Sequence, residues 1–124
     1  MLETVYGLGR LAFGAGMIAA PARLGDLLMG AGARQPTVRT TLRFYGTRDV
    51  VLGLGTLRAA SAREGAGGWV AAGIASDLLD TVIQMIEWDE IPPDKRVPGI
   101  VAALGGAAAG FAVLARGKNR TSFP

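Results

Sequence analysis

Five ionisable residues sit inside stretches that are otherwise built for oil: Arg10, Arg48, Asp49, Asp77 and Asp80. Two carboxylates three residues apart, as at Asp77 and Asp80, share a helix face and could exchange a proton or meet a cation. Paired with guanidinium forks, the same carboxylates would instead be static. Two of the five are positive and three negative, which leaves one carboxylate in excess. The expected pairing is Arg48 with Asp77 or Asp80, and Arg10 with whichever is left. Asp49 then pairs with Arg43 or stays protonated. Acid–base catalysis is the least supported use, because no nucleophile or metal set accompanies the carboxylates. The chain has no His and no Cys, which removes the commonest base, metal ligand and thiol nucleophile. No enzyme, metal or cofactor is expected.

The elements that hold these residues are read from four apolar runs. Val97 to Ala115 has 19 residues without a charge, close to the roughly 20 residues that a membrane span needs. Pro98 is expected near its helix start. Gly68 to Trp88 is of similar length, with Trp69 and Trp88 placed as interfacial anchors. Leu42 to Leu57 and Thr4 to Ala20 are shorter and carry charges. The predicted fold is therefore all-α: a four-helix transmembrane bundle with helices at about 4–20, 42–57, 68–88 and 97–115. The competing arrangement is a soluble four-helix bundle with Ala- and Gly-rich interfaces. The last run favours the membrane, being apolar around its whole circumference. A short stretch after the first run, "PARLGDLLMGAG", reads either as an interfacial amphipathic helix with Leu24, Leu27 and Leu28 on one side or as a folded loop. "DEIPPDKR" has two prolines that end the third helix.

Helical spacing turns the charges inward. Gly73, Asp77, Asp80, Gln84 and Glu87 form one polar stripe, and a charge at mid-span costs about 2.5–3.5 kcal/mol if it faces lipid. Glu3, Gly7, Arg10, Gly14 and Met17 form a matching stripe, with Arg10 between two glycines. Gly46 and Gly53 share a face of the second helix, flanked by Arg48 and Asp49. Gly106 and Gly110 form a GxxxG pair, with Gly99 and Ala103 continuing the face. It marks either a dimer face or a contact within the chain. The polar set itself has two readings: a network that fixes helix register, or a binding or transport site.

The net charge of +3 is spread along the chain, without the clustered Lys/Arg and aromatic platforms of a nucleic-acid binder. "RFYGTRDVVLGLGTL" and "WVAAGIASDLLDTV" together resemble the uncharacterised bacterial membrane proteins grouped as domain of unknown function 4267. The most specific parts are Gly46-x-Arg48-Asp49, Leu52-Gly53 and Asp77-x-x-Asp80. The resemblance implies a small four-helix protein, multi-pass in the bacterial cytoplasmic (inner) membrane, with no established activity. Its expected partner is membrane lipid, with a homo-oligomer or larger membrane complex left open. The expected role is a structural or accessory subunit that binds lipid or a small amphiphile. The alternative is a small proton- or cation-coupled transporter.

Overall fold

A computed structural model describes residues 1–120, and those residues form helices and turns without a strand. Five α-helices follow one another: α1 (Leu2–Ala19), α2 (Pro21–Met29), α3 (Pro36–Ser61), α4 (Gly67–Ile86) and α5 (Pro93–Arg120). A 3-10 turn, Ala31–Arg34, joins α2 to α3.

Two helices are long and apolar enough to cross a membrane, Gly67–Ile86 and Pro93–Lys118. The first helix passes the same test only together with α2, and the two are bent by 108° at their junction. The helix around residues 42–57 runs well beyond its apolar stretch, from Pro36 to Ser61. Pro36 opens it, where a missing N–H costs nothing. Its first turns are polar but not helix-breaking: Thr40 and Thr41 bond back to the carbonyls four residues earlier. An apolar run therefore marks where α3 can meet oil, not where its backbone stops. Its end is a Schellman turn. Glu64 N–H bonds the Ala59 carbonyl at 3.1 Å, and Arg63 takes a positive φ of 57°.

Two further boundaries move. Pro98 lies inside α5 rather than at its start, because Pro93 takes the first helical position. The second proline of "DEIPPDKR" thus begins a helix instead of ending one. Arg96 ties this connection down, its Nε donating to the Trp88 carbonyl at 2.9 Å and to the Ile91 carbonyl at 3.2 Å. The stretch from Pro21 is a helix, not a loop. Leu24 and Leu28 pack onto the Met17, Ala33 and Leu42 cluster. Leu27 does not join them and is exposed, since one residue's step of about 100° carries it to the next face.

The long helices pack as two antiparallel pairs. In the first pair, Gly14 of α1 lies against Gly46 of α3, and Gly7 lies against Gly53. A methyl group on Gly46 would stand 2.7 Å from the Gly14 carbonyl, and one on Gly53 would stand 2.7 Å from that of Gly7. Seven-residue glycine spacing on both helices lets the two backbones touch twice along one seam. The second pair joins α4 to α5. Gly110 faces Ile74 and Gly106 faces Asp77. The GxxxG face is therefore a contact within the chain.

Candidate functional site

Both polar stripes turn inward except at Glu87, which is exposed at the end of α4, and the five charged residues meet. They form a linear chain of alternating sign: Asp77, Arg10, Asp49, Arg48, Asp80. Three helices supply them, α1, α3 and α4, so the chain stitches the first helix pair to the second.

Arg10 is its centre. One terminal amino group donates to Asp49 and the other to Asp77. The latter also reaches the Gly73 carbonyl at 3.0 Å, and Nε donates to the Tyr6 hydroxyl at 2.9 Å. Arg10 is 8% exposed, and its guanidinium is bonded on three sides. Gly73 has no side chain to block the approach, and a methyl group there would strike Arg10 and Tyr6. On the other side of the chain, Arg48 grips Asp80 with two parallel bonds of 2.9 and 2.8 Å. Such a bidentate fork is the strongest geometry for this pair. The Tyr45 hydroxyl donates to the same carboxylate at 2.7 Å, and the Arg48 guanidinium lies 4.2 Å from the Tyr45 ring centre. Arg48 also stands 3.6 Å from Asp49, an ion pair without a hydrogen bond. Its Nε is buried and unpartnered among the described residues.

Of the expected pairings, Arg48 takes Asp80 and Arg10 takes Asp77. The expectation for Asp49 needs correction: it lies between Arg10 and Arg48 and does not meet Arg43. Arg43 and Asp49 are six positions apart on α3, which puts them about 120° apart around the helix. Arg43 instead donates to the Ile18 carbonyl of α1 at 3.1 Å. Gln84 stays outside the network. It is half-buried, and its side chain reaches over Gly99 of α5. Two participants were not among the candidate residues, Tyr6 and Tyr45. Their signal was present as spacing, since Tyr6 is four residues before Arg10 and Tyr45 three before Arg48.

Beside the charge chain lies a crevice of about 950 Å³. Val5, Phe13 and Met17 of α1 line one wall, Leu28 closes one end, and Ala102 and Gly106 of α5 line the other wall. Asp49, Asp77 and Asp80 line its interior, and Glu87 and Glu90 lie along it toward the α4–α5 connection. The lining thus holds five carboxylates and a single guanidinium, that of Arg10. Arginine bonds to the network carboxylates, the mark of a static lattice, coexist here with a cavity that reaches them.

No family model, no curated protein and no solved structure matches the chain.

Proposed function

We propose that this is a multi-pass membrane protein in which α1, α3, α4 and α5 all cross the bilayer, with α2 lying at its surface. The distribution of side chains supports this. Leu8 of α1, Phe44 of α3, Leu79 of α4 and Phe111 of α5 are all exposed, at 52%, 71%, 62% and 54%. Arg10, Asp49 and Asp77 are buried beneath them. Apolar outside and ionised inside is the arrangement that hydrocarbon demands and water opposes. Membership of the family named domain of unknown function 4267, and with it the bacterial cytoplasmic membrane, rests on the Gly46-x-Arg48-Asp49 and Asp77-x-x-Asp80 motifs.

Within that frame the protein serves as a structural or accessory subunit that holds a small amphiphile between its helices. The charge chain fixes the register of the two helix pairs, and the crevice is the binding site. One observation carries this reading: the crevice has apolar walls and an interior where acids outnumber bases. An amphiphile with a cationic end satisfies both features.

A size-matched pair of ions tests it. Detergent-solubilised protein should bind tetraphenylphosphonium in equilibrium dialysis and reject tetraphenylborate, which has the same shape and the opposite charge. Ala102→Trp, which fills the crevice from its α5 wall, should abolish binding. Equal uptake of both ions, or uptake unchanged by Ala102→Trp, refutes the reading.

A second reading makes the protein a small proton- or cation-coupled transporter. It is favoured by the same contact between Asp77, Asp80 and the crevice. In proteoliposomes under a proton gradient, ethidium would then cross the bilayer faster than it does in protein-free liposomes. Asp77→Asn would stay folded and stop that movement.

A further inference from the structure

The arginines on the α2 side of the molecule divide into two groups. Arg34 has an acid partner, Asp26, at 3.2 Å. Arg96 is held by two carbonyls. Arg23, Arg39 and Arg43 have no carboxylate partner among the described residues, yet all three line one concavity. It measures about 410 Å³ and sits where α1 breaks into α2. Its remaining wall is Ala19, Ala20, Pro21 and Ala22, so it contains no acid at all.

Three guanidiniums that converge on small residues, with no counter-charge between them, repel one another unless an anion joins them. Arg39 and Arg43 are one helical turn apart and share a face of α3. The Nε of Arg43 is used on the Ile18 carbonyl, which holds the side chain over the break. Its terminal amino groups have no other bond among the described residues. The α2 N-terminus adds donors: Pro21 opens the helix, the N-cap Ala20 offers no side-chain cap, and Ala22 and Arg23 line the concavity.

We infer that this concavity binds the phosphate of an anionic membrane lipid. Phosphate is the anion whose several oxygens suit multiple arginine forks. The lipid is favoured over free phosphate by what lies next to the site. Phe44 follows Arg43 and is 71% exposed, and Ile18 borders the same corner at 37%. An acyl chain can therefore continue from the headgroup along apolar surface. The site is separate from the crevice and shares with it only the membrane placement.

Native mass spectrometry of the detergent-solubilised protein with equal amounts of dioleoyl phosphatidylglycerol and dioleoyl phosphatidylcholine tests the inference. The unaltered protein should retain the anionic phosphatidylglycerol in preference. Arg23→Gln combined with Arg39→Gln should lower that retention by about fivefold per arginine removed. These two side chains are exposed, so melting temperature and tetraphenylphosphonium binding should be unchanged. Arg58→Gln combined with Arg116→Gln, at the opposite end of the bundle, should retain the lipid as before. If both double variants lose lipid equally, general charge attraction explains the result and the site is wrong. If inorganic phosphate binds and displaces the lipid while no preference between the lipids exists, the site takes free phosphate and the lipid assignment fails. If the unaltered protein shows no preference for phosphatidylglycerol while it still binds tetraphenylphosphonium, this site is overturned and the crevice reading stands.

Discussion

Arg10 is the residue on which the others depend. It is the one cation that two buried carboxylates share, and it also holds the Gly73 carbonyl and the Tyr6 hydroxyl. Removing one member of a buried ion pair strands its partner, which costs roughly 3–5 kcal/mol. Arg10→Gln should therefore lower stability by that order, read as a large fall in melting temperature in detergent. Tyr45→Phe should cost much less, about 1 kcal/mol, because Asp80 keeps both bonds from Arg48. Asp80→Asn keeps its shape but breaks the charge balance of the Arg48 fork, and should fall between the two. Equal losses for Arg10→Gln and Tyr45→Phe would show that the chain of charges does not centre on Arg10.

At the scale of elements, glycine positions decide which helices touch. The α1–α3 seam has no room for a methyl group at Gly46 or Gly53, since the atoms it would meet are carbonyl oxygens of the facing backbone. A backbone cannot swing aside as a side chain can. Gly46→Val should separate α1 from α3, pull Arg10 away from Asp49, and leave little folded protein. Gly9, on the same helix as Gly7, has open space around it. Gly9→Ala should be tolerated, and by helix propensity gains roughly 0.5–1 kcal/mol. Thermal unfolding of the two variants side by side checks the contrast. Gly106→Val is the corresponding test on α5, where the new side chain meets the Asp77 carboxylate and should weaken both helix packing and the Arg10 bond.

For the whole molecule, the decisive prediction concerns sidedness. Leu2 packs against the buried cluster that includes Ala59 and Ala66, which places the N-terminus at the same end as the α3–α4 turn. The α4–α5 connection and the α2 segment share the other end, where Gly30 approaches Pro92. Because the chain has no cysteine, single introduced cysteines report cleanly. In intact cells, an impermeant maleimide should label only one of Glu64→Cys and Glu90→Cys, and the other should react once the cells are permeabilised. Leu2→Cys should match Glu64→Cys, and Arg34→Cys should match Glu90→Cys. Leu2→Cys and Arg34→Cys labelled from one side would mean that α1 and α2 enter and leave without crossing.

Much of the site was legible in one dimension. A helix repeats every 3.6 residues, so the steps from Gly73 to Glu87 and from Glu3 to Met17 were enough to predict two inward polar stripes. The inventory of charges, the glycine seams and the all-helical fold follow from the same local rule. Hydropathy was a weaker guide. It missed the first turns of α3 because Thr and Arg are polar yet accept a helix, and it misplaced Pro98 because a second proline upstream took the start of α5. Tertiary structure alone decided which carboxylate met which guanidinium, since α1, α3 and α4 bring together residues up to 67 positions apart. It also chose the contact of Gly106 and Gly110, placed Asp49 between two arginines, and opened the crevice. The physical reason is one of range. Periodicity acts along a single helix, but a salt bridge depends on the axial offset and rotation of two helices, and packing sets both.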